Sequence, residues 1–482
     1  MNLINYKDIT IPAEILQLIP ERIAWEFNVI PYQKQNNTVS LYIKTTAEIA
    51  DIHNEIEFLT GGKILLEEIE EEIINYLLLK FYRRNGNNLQ PSNSNNLTTF
   101  SDDFLSKLIN EAHNHNSSDI HIEIFEKKAR IRLRVDGKLK EIFVINKAEY
   151  PSLLNKIKIK ANLDISEKRL PQDGRIIFEN NQGSTDIRVS ILPTLYGEKA
   201  VLRLLKKDAT DINLNVLGFN KIQLNNYLTG IKKTNGIILI SGPTGSGKTT
   251  TLYATLKILN KEGINILTIE DPIEYTLEGI NQVQLKENIG LTFSSALRTF
   301  LRQDPDIIML GEIRDGETAQ MAIRSALTGH LVLSTIHTNS AWGTIGRLID
   351  MGVPPFLISA TLNLSVAQRL VRLLCNHCKL KVPVIAEELP YYPKTYSLPD
   401  YHYLSKGCDK CYYTGYSGRK AIYEVIPMDN EIKSAIKRND LNDLNILKEK
   451  GVSFLPEQAF DLFFKGETTY EEIAPILLTN AY

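Results

Sequence analysis

The sequence predicts an α/β protein with a mostly parallel sheet in its carboxyl-terminal half, preceded by an α+β domain and a small α/β domain. Three observations lead to this fold class. The chain has 482 residues, and at about 150 residues per domain that length predicts roughly three domains. After residue 205, continuous apolar segments alternate with helical patterns, which is typical of parallel strands buried on both faces. Before residue 205, strand patterns alternate apolar and polar positions, which indicates half-buried strands.

Composition and charge narrow the class of protein. With 55 Lys and Arg against 57 Asp and Glu, the net charge is −2, and 43% hydrophobic residues are ordinary for a globular protein. These values argue against a disordered chain, a collagen-like fibre and a protein that wraps nucleic acid. The amino-terminal segment lacks the basic-then-apolar build of a signal peptide, and no apolar run of about 18 residues occurs. We therefore expect a cytosolic chain that reaches a membrane only by docking.

Residues 1–84 predict the small α/β domain. VSLYIKT has a strand pattern, and the following segment, ILLEEIEEEIINYLLLKFY, has a helical one. The acidic run Glu67–Glu72 has two interpretations, a partner-binding surface or the solvated start of a helix, where the helix dipole favours acids. Residues 85–97 contain six asparagines together with Gly, Pro and Ser, and predict a flexible linker.

Residues 98–205 predict the α+β domain. A helical pattern, FLSKLINEAHNH, precedes ARIRLRVDGKLKEIF, which alternates apolar and basic residues and turns at Asp136-Gly137. The basic face is either a phosphate or nucleic-acid surface or the wet face of a strand, and the near-neutral net charge favours the second interpretation. Residues 206–482 then carry the parallel-sheet pattern in GIILISG, NILTIED, DIIMLGE and HLVLSTIH.

The first of these strands runs into a phosphate-binding motif. The motif G-x-x-x-x-G-K-[ST] is followed by a helical pattern, and its residues are Gly242, Pro243, Thr244, Gly245, Ser246, Gly247, Lys248 and Thr249, with Thr250 next. Glycines let backbone N–H groups approach phosphate oxygens, and the helix N-terminus adds positive charge. Lys248 is predicted to reach the β- and γ-phosphates of a nucleotide, and the Thr249 hydroxyl to bind Mg²⁺.

Acids follow two of the other strands, where parallel sheets bind their ligands. Glu274 follows the strand that comes after the phosphate-binding motif and its helical pattern, and Glu312 follows the next strand. For Asp271 and Asp315, capping of a helix is an equally good interpretation. His337 follows the last of these strands and is placed to sense a γ-phosphate, whereas for His330 at the other end a structural role is an equally good interpretation.

The residues GPTGSGKTT, TIEDPIEY, LRQDPDIIMLGEIRD and GHLVLSTIHTN resemble, in this order, the Walker A, Asp, Walker B and His boxes of secretion ATPases. The chain is similar to the GspE/PilB branch, which powers type II secretion and type IV pilus assembly. The resemblance implies a RecA-like carboxyl-terminal domain, a PAS-like N2 domain and a cytoplasmic hexameric ring. It further implies that Glu274 is the general base and Glu312 the Walker B acid near Mg²⁺. Arg188 and Arg203, in DIRVSILPTLYGEKAVLRLL, become the candidates to reach nucleotide phosphates.

The four cysteines, Cys375, Cys378, Cys408 and Cys411, form two CxxC pairs, a spacing that suits a tetrahedral Zn²⁺ site. Free thiols, or His377 as the fourth ligand, are the weaker alternatives. The GspE/PilB branch carries such a tetracysteine insertion.

Residues 1–84 resemble the N1 domain that docks on an inner-membrane platform protein and its cytoplasmic adaptor. No arginine-leucine-glycine motif for a cyclic dinucleotide occurs there. Two other function classes stay open at this point. One is a DNA-uptake or conjugation ATPase, and the other is a nucleotide-gated scaffold without turnover. Secretion and pilus assembly are not distinguished by the sequence.

Overall fold

The computed structural model describes most of the chain beyond residue 101 and parts of the first hundred residues. The described residues are 11, 13–16, 18–19, 21–35, 38–44, 56–57, 63–70, 73–74, 77–78, 81–82, 102–180, 183–205, 213–385, 389–392, 396–441 and 444–478. The predicted linker, residues 85–97, lies outside them. The chain forms two compact units, one of residues 1–100, 125–132 and 141–150 and one of residues 101–124, 133–140 and 151–482. The domain boundaries predicted at 84, 97 and 205 stay predictions.

The amino-terminal part contains a three-stranded sheet in the order β1-β2-β3. Its elements are the helices Ala13–Leu16 and Glu21–Glu26 and the strands β1 (Val29–Gln35), β2 (Thr38–Lys44) and β3 (Lys63–Ile69). Strand β2 pairs antiparallel with β1 and parallel with β3. The helical interpretation of the segment that begins at Ile64 is therefore wrong over its first residues. The acidic run begins inside β3, because pairing with β2 and burial of Ile64 and Ile69 outweigh helix propensity.

The next part has the α+β composition that the sequence predicts. Its elements are the helices Asp102–Asn114 and Tyr150–Lys160 and the strands β4 (Asp119–Ile124), β5 (Lys128–Val135), β6 (Lys138–Asn146), β7 (Gln172–Asn180), β8 (Gly183–Thr194) and β9 (Gly197–Leu205). Strands β4, β9, β8 and β7 pair antiparallel in this order. Asp136 and Gly137 join β5 to β6 with φ of 46° and 84°, as a two-residue hairpin turn requires.

A seven-stranded sheet forms the centre of the carboxyl-terminal part. Its strands are β10 (Gly236–Ser241), β11 (Ile266–Glu270), β12 (Asn281–Gln284), β13 (Ile307–Leu310), β14 (Leu331–Ile336), β15 (Leu362–Leu374) and β18 (Tyr416–Pro427), in the order β12-β11-β13-β14-β10-β15-β18. All neighbours are parallel except the last pair. Strands β10, β11, β13 and β14 are buried along their whole length, which confirms the prediction from their continuous apolar segments.

Helices cover both faces of this sheet and build a hydrophobic core on each. They are Lys221–Ile231, Lys248–Leu259, Phe293–Phe300, Gly316–Leu327, Gly343–Asp350, Pro355–Thr361, Asn430–Lys437, Asn445–Glu449, Leu455–Phe464 and Tyr470–Leu478. A small antiparallel hairpin, β16 (Lys379–Pro383) with β17 (Tyr401–Ser405), stands apart from the sheet. Within the described residues, no helix combines the length and the apolar character needed to cross a membrane.

Candidate active site and metal centre

The P-loop joins β10 to the helix Lys248–Leu259, which we call the P-loop helix. Gly242, Gly245 and Gly247 have φ of 150°, 80° and 89°, values that side chains disfavour. A Cβ atom on Gly242 would lie 2.6 Å from Ser246 Oγ, and one on Gly247 would lie 2.8 Å from Gln368 Nε2. The loop therefore needs glycine at these two positions for both backbone and space, as the sequence predicts.

Two polar groups of the loop fit an anion. Ser246 Oγ is buried and has no hydrogen-bond partner within the described part of the chain. Lys248 is 9% exposed, and its Nζ donates to the carbonyls of Gly242 at 2.8 Å and Pro243 at 3.0 Å. Burial lowers the pKa of Lys248, and the nearby Glu312 carboxylate opposes this effect. A phosphate group bound in the loop would accept hydrogen bonds from both the Lys248 ammonium and the Ser246 hydroxyl.

The rest of the predicted phosphate cradle is open to solvent. Pro243, Thr244, Gly245 and Thr249 are exposed, and Thr250 is half-buried. Thr249 lies in the first turn of the P-loop helix, where its hydroxyl offers an oxygen donor of the kind that Mg²⁺ accepts.

Glu312 and His337 meet beyond the carboxyl ends of β13 and β14. Glu312 Oε2 lies 3.0 Å from His337 Nε2, and Glu312 Oε1 contacts Arg314. The side chain of Glu312 is 16% exposed, against 48% for His337. Strands β13 and β14 pair in parallel, so their following residues reach the same edge of the sheet. The structure thus brings together two residues that are distant in sequence.

Glu274 lies on the loop Asp271–Ile280, between β11 and β12. It is half-buried, and within the described residues its side chain has no hydrogen bond or ion pair. Arg188 donates from Nη2 to the carbonyl of the neighbouring Ile273. Arg203, by contrast, is 56% exposed and pairs with Asp119 at 3.1 Å. Of the two predicted arginines, Arg188 is the one that contacts the loop of Glu274.

Two other acids and one histidine from the sequence analysis contact groups of the protein itself. Asp315 caps the helix Gly316–Leu327 by accepting from Thr318 N at 2.8 Å. Asp271 lies 3.7 Å from Arg314. His330 Nδ1 lies 2.9 Å from the carbonyl of Ser325. The capping interpretation of Asp315 and the structural interpretation of His330 agree with these contacts.

Two arginines near the site were not singled out from the sequence. Arg314 contacts Glu312 and Asp271, and it stands two residues after Glu312 in GEIRD, so its place in that motif was the available signal. Arg369, on β15, donates from Nη2 to Asn339 O at 2.8 Å and contributes to the lowered pKa of Lys248. No local pattern marks Arg369, because only the pairing of β15 with β10 brings it to the P-loop.

The four cysteines converge on one point. Their Sγ atoms all lie within 4.8 Å of one another, with Cys375–Cys408, Cys378–Cys411 and Cys408–Cys411 distances of 3.9, 3.6 and 3.7 Å. A tetrahedron with Zn–S bonds of about 2.3 Å has edges of about 3.8 Å. A disulfide needs about 2.0 Å. The cluster therefore fits a four-thiolate metal ion, and His377 is exposed and is not part of it.

Hydrogen bonds to sulfur prepare part of this cluster for a metal. Burial alone would raise the pKa of Cys411, but the N–H groups of Cys408 and Gly415 donate to its Sγ at 3.2 and 3.3 Å and lower the pKa to about 7. The ring of the following Tyr412 packs against His115 at a tilt of 37°, with centroids 3.6 Å apart, and the carbonyl of Tyr412 accepts from Lys140. The cysteine loop thereby contacts the α+β part of the chain.

A parallel sheet with a P-loop at the end of β10 and a carboxylate beyond β13 defines a RecA-like P-loop ATPase. The family model described as Type II/IV secretion system protein matches residues 97–475. The chain is 39% identical to the Type IV pilus assembly ATPase PilB of Myxococcus xanthus, over 98% of this chain and 88% of the relative. It is 40% identical to Type II secretion system protein E of Dickeya dadantii, over 97% and 88%.

A solved structure gives the same fold. The ATPase DotB of Legionella pneumophila superposes with a TM-score of 0.58 at 23% identity, over 80% of this chain and 98% of that one. The protein belongs to the Type II/IV secretion system protein family and is an ATPase. This result favours an enzyme with turnover over the scaffold that the sequence left open.

Proposed function

We propose that this protein is a cytoplasmic, Mg²⁺-dependent ATPase that powers type II protein secretion or type IV pilus assembly. The observation that carries the proposal is the P-loop, with Lys248 folded onto it and Glu312 close enough to influence the pKa of that lysine. Two relatives, each matched over 88% of its length, are named for type IV pilus assembly and for type II secretion, and these names support the proposal.

Each site residue has a separate role in binding or hydrolysing ATP. The N–H groups of the loop Gly242–Thr250 and Lys248 bind the phosphates of ATP. Thr249 and Glu312 would hold Mg²⁺, which would supply positive charge at the phosphate oxygens. Glu274 accepts the proton of the attacking water, since its carboxylate is committed to no described partner. His337 contacts the γ-phosphate and holds Glu312.

Arginines complete the site by meeting the charge that develops on the phosphate. Arg188 and Arg203 take this role, and Arg203 must leave Asp119 to do so.

We further propose a homo-hexamer in which neighbouring subunits complete each other's sites. Residues 1–84 dock on an inner-membrane platform protein and its cytoplasmic adaptor, so the ATPase is peripheral to the membrane. Zinc at the four cysteines has a structural role. No nucleic acid is expected as a partner.

The experiment that tests the motor is the MgATPase rate per subunit as protein concentration is raised. We expect the rate to climb, because sites completed between subunits require assembly. The Lys248→Ala variant, which lacks the phosphate-binding ammonium, provides the background. A wild-type rate equal to that of Lys248→Ala at every concentration would overturn the proposal of a self-assembling motor.

Arg188→Ala is expected to lower kcat for ATP hydrolysis by about 10- to 100-fold, because it removes a cation that bears on the phosphate and on the Glu274 loop. Arg175→Ala is the matched control. Arg175 pairs with Arg188 in the register of β7 and β8 and is exposed in an ion pair with Asp186. Steady-state kinetics of both variants check the prediction, and equal losses would assign Arg188 a structural role only.

A further inference from the structure

The loop Asp271–Ile280 carries Glu274 but forms no helix or strand. Its position is therefore not set by the regular hydrogen bonds of an element, and a base must be held within a few tenths of an ångström to act on water. Side-chain hydrogen bonds hold the loop instead. The contacts converge on Glu270, the last residue of β11.

Glu270 is an anchor for this loop and not a second base. It is 3% exposed, and both carboxylate oxygens are occupied. Oε1 accepts from Thr268 Oγ1 at 2.6 Å and from Gln282 Nε2 at 3.1 Å, and Oε2 accepts from the hydroxyl of Tyr253. A buried carboxylate with three donors is stable where it is and has no oxygen directed at a substrate.

Tyr253 links this anchor to the P-loop helix and to Glu274 itself. Its hydroxyl donates to Glu270 and accepts from the backbone N–H of Glu274 at 3.4 Å. Its ring packs edge-to-face on Tyr275, with centroids 4.5 Å apart. Burial, followed by the charge of Glu270, raises the pKa of Tyr253, so the hydroxyl keeps its proton and stays a donor. The same helix begins at Lys248, about 7.5 Å along its axis.

Gln282 on β12 holds the middle of the loop. Its Oε1 accepts from Leu277 N at 2.7 Å, and its Nε2 donates to Tyr275 O at 3.2 Å as well as to Glu270. The buried carboxylate thus has two links to the loop. One runs through Tyr253 to the backbone of Glu274, and the other runs through Gln282 to the backbones of Tyr275 and Leu277.

We propose that Tyr253 is a positioning residue that acts through Glu270 and the backbone of Glu274, and that it sets the place of the base relative to the nucleotide-bound end of the P-loop helix. This inference rests on the proposed role of Glu274. It assigns Tyr253 to the geometry of hydrolysis and not to nucleotide binding, because the hydroxyl lies on the side of the helix that faces the loop and not in the phosphate cradle.

Tyr253→Phe removes only the hydroxyl and keeps the ring packing. We expect kcat to fall about tenfold while KM for ATP changes less than about twofold, since the interaction acts on the reacting geometry. Hydrogen exchange of a peptide covering residues 271–280 should quicken about tenfold in the same variant. Tyr227→Phe is the matched control, because Tyr227 is as buried as Tyr253. The hydroxyl of Tyr227 lies 2.7 Å from Thr255 Oγ1 on the P-loop helix, and neither residue belongs to the loop Asp271–Ile280.

The combination of variants separates this inference from the proposed base. In the Glu274→Gln background, adding Tyr253→Phe should cause no further loss of single-turnover hydrolysis, since the two residues act in one chain of contacts. Unchanged kcat and unchanged exchange in Tyr253→Phe, or losses equal to those of Tyr227→Phe, would overturn the positioning role. Full turnover in Glu274→Gln alone would instead overturn the base and leave the exchange result for Tyr253 standing.

Discussion

Glu274→Gln is expected to lower kcat for ATP hydrolysis by about 10²- to 10⁴-fold, the range for loss of a general base. The substitution keeps size and hydrogen-bonding capacity but removes the carboxylate that accepts the proton of water. Because Glu274 makes no described contact to the P-loop, the dissociation constant for MgATP should change less than about twofold. Binding is measured by titration calorimetry, and turnover by phosphate release.

Glu278→Gln is the matched control for this measurement. Glu278 is exposed and lies on the same loop, and its substitution removes the same charge. Among the described residues, Asn260 bonds its backbone carbonyl and nothing bonds its side chain. Its kcat should stay within about twofold of the parent protein. If Glu274→Gln keeps normal turnover, or loses binding and turnover together, Glu274 is not the base. The buried Glu270, with both oxygens bonded, is not a substitute in that case.

The second large effect is expected at the four cysteines. Cys408→Ser combined with Cys411→Ser should abolish binding of one zinc per chain, because two of the four thiolates are lost. A structural zinc contributes on the order of 10 kcal/mol to the fold it closes. The melting temperature should therefore fall by at least about 5 °C. Hydrogen exchange should quicken in residues 375–378 and 408–413, and around His115, whose ring packs against that of Tyr412.

His377→Ala separates the four-cysteine site from the alternative in which histidine is a ligand. His377 is exposed, stands between Cys375 and Cys378 and lies outside the cluster. Zinc content, measured by mass spectrometry of the metal, should stay at one per chain in this variant. Zinc retained by the double serine variant, or lost in His377→Ala, would contradict the assignment.

The class of fold followed from the sequence because the signal was local. Continuous apolar segments predicted the buried strands β10, β11, β13 and β14, and the Asp136-Gly137 pair predicted a hairpin turn, all of which the structure contains. The P-loop was equally visible, since glycines at fixed spacing between a strand and a helix have few other uses. The segment from Ile64 was misassigned, because its composition favours a helix while its pairing partner on β2, Val39 for Ile64, is 25 residues away in sequence.

The sequence by itself determined the kinds of groups at the site: the cradle around Lys248, the acids after β11 and β13, and two thiol pairs. Only the tertiary structure decided which of these groups act together. It paired Glu312 with His337 and Arg314, gave Glu270 its buried partners, and placed Arg188 and not Arg203 against the Glu274 loop. The physical reason is that local propensity and spacing are encoded in neighbouring residues, whereas such contacts depend on sheet order and on side chains from segments far apart in the chain.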